Sequence, residues 1–212
     1  MSDGPALRFS YDWFSTRIPQ WERQVAGRFA GKPGLRFLEI GSFEGRSACW
    51  LLQNVLTDPS VRLTCVDPFA VDAAGGLGDS DIDVPPLPYE ETFDHNMRAI
   101  GAADRVVKLK GRSAEILRTL PRASFDFVYV DGSHLAPDVL GDLVQAWDLL
   151  KDGGLLVIDD YVWKATRDPL TTPRPAIDAF MSVFYGQYLL MERSYQVTLL
   201  KHLLKGTVPK RL

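Results

Sequence analysis

The sequence predicts an α/β domain built on a mostly parallel, doubly wound sheet. Short apolar runs alternate with amphipathic stretches along the chain, which is the pattern of repeated βαβ units. The runs are almost continuously hydrophobic, as expected for strands that are buried on both faces. With 212 residues, 46% of them hydrophobic and 24% charged, the chain fits a single globular domain over residues 1–212 and excludes global disorder.

The individual elements follow from local patterns of hydrophobicity and from turn residues. Five apolar runs are predicted parallel strands, and they cover residues 35–40, 62–67, 106–110, 125–131 and 154–159. Two closing strands are predicted at 187–191 and 195–202, which brings the sheet to seven strands. Helical spacing of apolar residues predicts helices over 47–56, 89–100, 113–120, 137–150 and 175–185, with Gly153-Gly154 ending the fourth before the fifth strand.

Two segments lie outside this alternation. Residues 1–30 are rich in aromatic side chains and are predicted to form a helical N-terminal preface. Residues 70–88 are crowded with Gly, Asp and Pro, which predicts a long mobile loop that either is disordered or acts as a lid.

Charge and cysteine content limit the partners and the compartment. The net charge of −3 gives no basic excess for nucleic-acid binding, and no apolar run approaches the roughly 20 residues of a membrane helix. The N-terminus lacks a signal-peptide pattern, so we expect a cytoplasmic protein. Cys49 and Cys65 lie in apolar runs and are predicted to be buried free thiols.

The first candidate site is the turn after the first strand, Glu39-Ile40-Gly41-Ser42-Phe43-Glu44-Gly45. Gly41 permits a tight turn with positive φ, and Gly45 lets the next helix begin close to a ligand. Free N–H groups at that helix start can hold an anionic group, although a generic tight turn would explain the same glycines. Asp67 ends the second strand, where an acidic residue either accepts hydrogen bonds from a ribose or is a solvated strand end.

The second candidate site is acidic. Asp131 follows the fourth strand, and Asp159 and Asp160 follow the fifth. If these strands are neighbours, three carboxylates converge at one edge of the sheet and repel one another, which favours a divalent cation such as Mg²⁺ between them. Alternatively, Asp160 caps a turn and Asp131 contacts only the cofactor. His134 lies three residues beyond Asp131 and is either a general base or a loop-capping histidine.

Several motifs, taken in order over residues 35–202, resemble those of class I S-adenosylmethionine-dependent methyltransferases. They are LEIGSFEGRSACWLL, TCVDPF, KGRSAEIL, FDFVYVDGSHLAPDVLGDLVQAW and LLKDGGLLVIDDY. The resemblance is closest to the metal-dependent sugar and macrolide O-methyltransferases and more distant to catechol O-methyltransferase. The glycine spacing departs from the dinucleotide fingerprint G-x-G-x-x-G, which disfavours an NAD-linked oxidoreductase.

The resemblance implies a Rossmann-like sheet with an antiparallel strand near the C-terminus, and it implies roles for particular residues. The residues that would bind S-adenosylmethionine are Glu39, Gly41, Phe43, Ser47, Asp67, Ser113, Ala114 and Asp131. The residues that would hold Mg²⁺ are Asp131, Asp159 and Asp160, and His134 would be the catalytic base. The catechol type has a lysine in place of His134 and an asparagine in place of Asp160, so a catechol substrate is disfavoured.

The sequence therefore predicts Mg²⁺-assisted methyl transfer from S-adenosylmethionine to a hydroxyl of a small molecule or sugar moiety. Two alternatives stay open: a non-catalytic S-adenosylmethionine-binding domain, and a metal-independent methyltransferase. We expect neither nucleic acid nor a membrane as a partner. Because relatives of this type are often oligomeric, the resemblance also allows a homo-oligomer.

Overall fold

The computed structural model describes residues 6–70, 87–164 and 168–202, and within them seven strands form one sheet. In chain order the strands are β1 (Arg36–Ile40), β2 (Arg62–Asp67), β3 (Val106–Lys110), β4 (Phe125–Val130), β5 (Leu150–Ile158), β6 (Tyr188–Arg193) and β7 (Val197–Lys201). Their order across the sheet is β3-β2-β1-β4-β5-β7-β6. The chain adds β2 and then β3 on one side of β1. It then crosses back and places β4 on the other side of β1.

Strands β1 to β5 are parallel, whereas β7 is antiparallel to both of its neighbours, β5 and β6. The predicted mostly parallel sheet with an antiparallel strand near the C-terminus is confirmed. Ile40 at the end of β1 is in register with Val66 of β2 and with Val130 of β4, and Val130 is in register with Ile158 of β5. The four strands therefore end level, and the residues that follow them meet at one edge.

The helices cover both faces of the sheet. The N-terminal helix runs through a 3-10 turn (Ser15–Arg17), α1 (Ile18–Trp21), a π-helical turn (Glu22–Ala26) and α2 (Gly27–Phe29). The later helices are α3 (Arg46–Asn54), α4 (Tyr89–Ala99), α5 (Ser113–Ile116), α6 (Ala136–Leu149) and α7 (Arg174–Val183). Short 3-10 turns occupy Ala103–Arg105, Leu117–Thr119 and Pro169–Thr171.

Successive side chains of a strand point to opposite faces of the sheet, so the hydrophobic core forms two clusters, one on each face. Phe37 and Phe127 point to the face covered by the N-terminal helix, α3 and α4, where Trp21 is almost fully buried. Leu38 and Val128 point to the opposite face, which α6 and α7 cover. Because each strand is buried on both faces, its sequence is nearly continuously apolar, as the prediction assumed.

The N-terminal segment is only partly helical, which corrects the helical preface expected over residues 1–30. Residues 6–14 are not helical, and the helix begins at Ser15. Buried side chains bind the backbone of this segment instead. Asn96 Oδ1 accepts a hydrogen bond from the Arg8 N–H at 2.8 Å, and Glu44 Oε2 accepts one from the Ser10 N–H at 2.6 Å. These contacts fasten the segment to the turn before α3 and to the last turn of α4.

Two other boundaries differ from prediction, and one predicted segment is not described. Helix α6 ends at Leu149, before Gly153-Gly154, and β5 begins at Leu150 rather than at 154. The register between β4 and β5 shifts there, because Phe125 pairs with Leu150 whereas Phe127 pairs with Leu155. Of the predicted loop 70–88, residues 71–86 lie outside the described residues. Within the described parts of the chain, the longest apolar helices are too short to cross a membrane.

Candidate functional site

A cavity of about 840 Å³ opens at the carboxyl edge of β1, β2, β4 and β5, a volume within the usual range for small-molecule sites. Ten of the eleven predicted site residues line it: Gly41, Phe43, Ser47, Asp67, Ser113, Ala114, Asp131, His134, Asp159 and Asp160. Glu39 is not among the lining residues. The level ends of the strands bring these residues together, although the sequence spreads them over 120 positions.

The turn after β1 is set by a close approach to β4. Gly41 has a φ of 86°, and a Cβ at this position would lie 1.9 Å from the carbonyl oxygen of Asp131. Only glycine fits here, as the sequence predicts. The Asp67 carboxylate accepts hydrogen bonds from the N–H groups of Ser42 at 2.8 Å and Phe43 at 2.9 Å. Asp67 therefore binds two N–H groups of the turn itself, which lie before the start of α3.

Gly45 has a different role from the one expected. It begins α3 with a φ of 80°, and a Cβ there would lie 2.8 Å from both Phe93 and Met97. The missing side chain thus makes room for α4, not for a ligand. Gly45 is absent from the cavity lining.

Glu39 lies beneath the cavity and supports a residue that lines it. Its carboxylate is fully buried and accepts a hydrogen bond from the Ser47 hydroxyl at 2.5 Å, while Cys65 Sγ lies 3.7 Å away. Burial raises the pKa of Glu39 to about 7. Cys65 and Cys49 are both buried free thiols, which confirms that prediction.

At the end of the cavity where Ser113 and Ala114 lie, sequence reasoning missed Asp142. This residue lies on α6 and is 97% buried, although it lines the cavity. Burial raises its pKa to about 6. The signal was available, because Asp142 interrupts the buried face formed by Val139, Leu143 and Ala146.

At the acidic edge of the sheet, the carboxylates of Asp131 and Asp159 both contact the hydroxyl group of Tyr129. Tyr129 Oη lies 2.8 Å from Asp131 Oδ2 and makes an even shorter contact with Asp159 Oδ2. Burial, followed by repulsion from the neighbouring carboxylates, raises the pKa of both Asp131 and Asp159. The tyrosine hydroxyl has one hydrogen, so it can donate to only one of the two carboxylates at a time.

A second buried contact links Asp159 to the N-terminal helix. Gln196 Nε2 donates to Asp159 Oδ2 at 2.8 Å, and Gln196 Oε1 accepts from Trp21 Nε1 at 2.9 Å. Sequence reasoning missed Tyr129 and Gln196. Tyr129 lies in the strand FDFVYV and has the pattern of an ordinary core residue, and no local signal pairs Gln196 with the acidic edge.

His134 and Asp160 form a pair next to Asp159. His134 Nε2 lies 2.7 Å from Asp160 Oδ2, and the Trp163 ring stacks on the imidazole with centroids 4.2 Å apart. His134 Nδ1 is buried without a hydrogen-bond partner among the described residues. Asp160 has a positive φ of 59°, and its N–H donates to Asp159 Oδ1 at 2.7 Å, so the two adjacent carboxylates point to different partners.

The three predicted metal ligands thus meet at one edge but do not form a ligand set. In residues 6–70, 87–164 and 168–202, no group of three or more His, Cys, Asp or Glu side chains has the arrangement of a metal site. The three carboxylates have different partners, because Asp160 pairs with His134 whereas Asp131 and Asp159 both contact the Tyr129 hydroxyl.

Arg17 and Tyr195 complete the wall near this pair, and sequence reasoning missed both. The guanidinium carbon of Arg17 lies 3.8 Å from the centroid of the Tyr195 ring. Burial and the charge of Asp160 raise the pKa of the Tyr195 hydroxyl, which hydrogen-bonds to Asp160. Arg17 belongs to the aromatic N-terminal segment, and no local pattern in the sequence distinguishes it from the other arginines.

Comparison with known proteins gives a family match. A family model described as a methyltransferase domain matches residues 38–161, which is more than half of the chain. An uncharacterised protein of Acanthamoeba polyphaga mimivirus is 29% identical over 136 residues, which cover 61% of this chain. The match covers 53% of that relative, so this chain spans about half of its length.

Two solved structures have a similar fold. The O-methyltransferase TomG from Streptomyces achromogenes, which is involved in tomaymycin synthesis and was solved with S-adenosylmethionine, is 22% identical with a TM-score of 0.63. That match covers 93% of this chain and 83% of TomG. The methyltransferase MycE from the mycinamycin pathway, solved with Mg and S-adenosylhomocysteine, is 16% identical with a TM-score of 0.59, covering 95% of this chain and 54% of MycE. At these identities the two structures show the fold alone.

Proposed function

The chain belongs to the methyltransferase-domain family, and on that premise we propose that it transfers a methyl group from S-adenosylmethionine to a hydroxyl oxygen of a small molecule or sugar moiety. One observation carries this proposal: a single cavity joins the predicted cofactor residues to the His134–Asp160 pair. A binding domain without catalysis would need the first group of residues but not the second. TomG, with a similar fold, supports an O-methyltransferase that uses this cofactor.

The cofactor is proposed to lie across the ends of β1 and β2. Asp67 fixes the turn after β1 through the N–H groups of Ser42 and Phe43, and its carboxylate still has lone pairs for ribose hydroxyls. Ser113 and Ala114 line the part of the cavity assigned to adenine, and Ser47 lines the part assigned to the methionine end. Glu39 holds Ser47 in place from below rather than contacting the cofactor.

The acceptor is proposed to lose its hydroxyl proton to His134. When Nε2–H donates to Asp160, the lone pair of the neutral imidazole is on Nδ1, which makes Nδ1 the base. Asp160 orients the ring and stabilises the imidazolium that forms. Because Nδ1 is buried, we expect the acceptor to displace the side chains that cover it.

The deprotonated oxygen then attacks the methyl carbon in line with the sulfur. A carbon–oxygen bond forms as the carbon–sulfur bond breaks, and its electron pair stays on sulfur to leave neutral S-adenosylhomocysteine. The protein contributes alignment of the two reactants and removal of the proton.

We propose Mg²⁺ as an additional cofactor, held by Asp131, Asp159 and Asp160. These side chains are not arranged as a ligand set among the described residues, but their chemistry suits the ion, because carboxylates are the hard oxygen ligands that Mg²⁺ prefers. Asp131 and Asp159 together also offer more acceptors than the single Tyr129 hydrogen can satisfy. A bound Mg²⁺ would lower the pKa of the acceptor hydroxyl. The presence of Mg in MycE supports this assignment. The metal-independent alternative is favoured by the contact of Asp160 with His134, since Asp160 already has a partner.

Calorimetric titration tests the cofactor and the metal separately. S-adenosylhomocysteine is titrated into chelator-treated protein, and Mg²⁺ is then titrated into the complex. We expect micromolar binding of S-adenosylhomocysteine and a heat for Mg²⁺ that disappears in Asp159→Asn but persists in Asp104→Asn, a control that changes an exposed, distant carboxylate. Absence of S-adenosylhomocysteine binding by the wild type would refute the methyltransferase, whereas cofactor binding without an Mg²⁺ heat would favour the metal-independent form.

Formation of S-adenosylhomocysteine from S-adenosylmethionine, measured with each member of a panel of hydroxylated compounds, then identifies the acceptor. His134→Ala should lower turnover by about 10²-fold or more, because general-base catalysis contributes about that factor. Its affinity for S-adenosylhomocysteine should be unchanged. Normal turnover in this variant would remove His134 from the role of base.

A further inference from the structure

Arg17 presents a cation at the acceptor end of the cavity. Its guanidinium carbon lies 3.8 Å from the Tyr195 ring centroid, and the residue lines the same cavity as His134 and Asp160. In the described residues no carboxylate oxygen lies within 4.0 Å of the Arg17 nitrogens. Its Nε is buried and has no hydrogen-bond partner there. Arg46, by contrast, lines the cavity but pairs with Asp12 at 2.7 Å.

A stacked guanidinium without an acidic partner is suited to receive an oxyanion. The face of the Arg17 group is covered by Tyr195, so the N–H groups at its planar edge stay available for a ligand. That edge matches the two oxygens of a carboxylate or a phosphate, and hydrogen bonds of this kind are stronger than neutral ones.

The position of Arg17 would place a bound oxyanion on the same wall of the cavity as the proposed base, His134. Tyr195 lies between Arg17 and Asp160, and Asp160 pairs with His134, so the cation and the proposed base share one wall. Without a bound cation, an anionic acceptor would meet ionised carboxylates of Asp131, Asp159 and Asp160 and be repelled. A cation near that edge offsets the repulsion for an acceptor that carries its own negative group.

We propose that the acceptor is a hydroxylated acid, and that Arg17 binds its carboxylate or phosphate group while the hydroxyl faces His134. This assignment rests on the function proposed above and specifies its substrate class. Arg17 is then a substrate-binding residue that selects the acceptor, with no part in proton transfer.

Affinity selection with mass-spectrometric detection tests the assignment on protein loaded with S-adenosylhomocysteine. The probes are two matched sets: gallate with its amide, and glucuronate with glucuronamide and glucose phosphate. The amides keep the hydroxyls and lose the charge, and the phosphate separates the two sources of an oxyanion. The proteins are the wild type, Arg17→Gln, Arg17→Lys and the control Arg23→Gln, which changes an exposed arginine of the same N-terminal helix.

We expect the wild type and Arg23→Gln to retain an acid at least about tenfold better than its amide, the ratio expected for a charged hydrogen bond. Arg17→Gln should lose this preference, and Arg17→Lys should keep part of it because the charge remains. Equal retention of acid and amide by the wild type, retention of no acid, or an unchanged preference in Arg17→Gln would each overturn the assignment.

Retained S-adenosylhomocysteine is measured in the same experiment. Its loss from the wild type would refute the proposed function itself. Normal retention without a preference for acids would refute only the role of Arg17. An unfolding midpoint of Arg17→Gln close to that of the wild type shows that the variant is folded, and retained S-adenosylhomocysteine in that variant confirms an intact cofactor site.

Discussion

Replacing Gly41 with alanine tests whether backbone contact between the ends of β1 and β4 builds the cofactor end of the cavity. The new Cβ would lie 1.9 Å from the Asp131 carbonyl oxygen and 2.8 Å from the Gly132 Cα. Ordinary van der Waals contact begins at 3.4 Å, so the two strand ends would have to separate by about 1.5 Å.

Gly34→Ala is a matched control, because Gly34 has a φ of +69°, similar to the +86° of Gly41, but has nothing within 4 Å of its would-be Cβ. A positive φ costs an alanine about 1 kcal/mol, and both variants should lose this amount. Gly41→Ala should lose about 3 kcal/mol more, because the clash involves backbone that no side-chain rotation can relieve. The expected free energy losses are therefore about 1 kcal/mol for Gly34→Ala and about 4 kcal/mol for Gly41→Ala.

Urea denaturation measures the two losses, and calorimetry measures binding of S-adenosylhomocysteine. We expect Gly41→Ala to bind at least about tenfold more weakly at a temperature where it is still folded, since Asp131 and the turn that Asp67 holds are displaced together. Gly34→Ala should bind normally. If the two variants were destabilised equally, positive φ alone would explain the glycine, and close contact between the strands would have no part in forming the site.

Two further predictions concern titratable groups. Asp160→Asn should reverse the hydrogen bond to His134. The Tyr195 hydroxyl, which hydrogen-bonds to Asp160, should bind the amide oxygen, and the amide NH₂ then donates to Nε2 and puts the ring proton on Nδ1. Nitrogen NMR of the imidazole should show an Nε2–H tautomer in the wild type and an Nδ1–H tautomer in the variant, and the same tautomer in both would contradict the pairing. Glu39, whose pKa is raised by burial from 4.5 to about 7, keeps its proton in the folded state while the unfolded state ionises. The free energy of unfolding should therefore fall by up to about 3 kcal/mol as the pH rises from 4.5 to 7, at about 1.4 kcal/mol per pH unit. Glu39→Gln should lack this component, and equal pH dependence in urea unfolding of both proteins would exclude it.

Hydrophobic periodicity in the sequence was sufficient to predict the parallel strands and the edge of the sheet at which the site lies, whereas the antiparallel strand near the C-terminus was implied by the family resemblance. Continuous apolar runs mark strands buried on both faces, and the polar residue after each run marks the carboxyl edge. Parallel strands end at the same level, so Gly41, Asp67, Asp131 and Asp159 had to meet once β1, β2, β4 and β5 were neighbours. The parallel direction of the strands follows from the βαβ pattern, whereas the neighbours of each strand follow from the family resemblance.

The roles of individual side chains could not be predicted in the same way. Gly45 accommodates Phe93 and Met97, which lie about 50 residues later in the chain and reach it only through packing of α4 on α3. Tyr129 contacts Asp159 from β4 and Gln196 contacts it from the turn before β7, and neither contact has a local sequence signal. Such partners depend on distances between side chains from different elements, which spacing along the chain does not contain.

Asp160 shows why these contacts matter for the chemistry. The same carboxylate is the predicted third ligand for Mg²⁺ and the observed partner of His134 Nε2. The Asp160 carboxylate has two oxygens with two lone pairs each, so it could help to hold Mg²⁺ and still accept a hydrogen bond from Nε2–H. If holding the metal required Asp160 to turn away from His134, its hydrogen bond would no longer keep the ring proton on Nε2. The tautomer of His134, measured with and without Mg²⁺ in the complex with S-adenosylhomocysteine, distinguishes these cases. An unchanged tautomer means that Asp160 serves both partners, and a change means that the metal and the histidine compete for it.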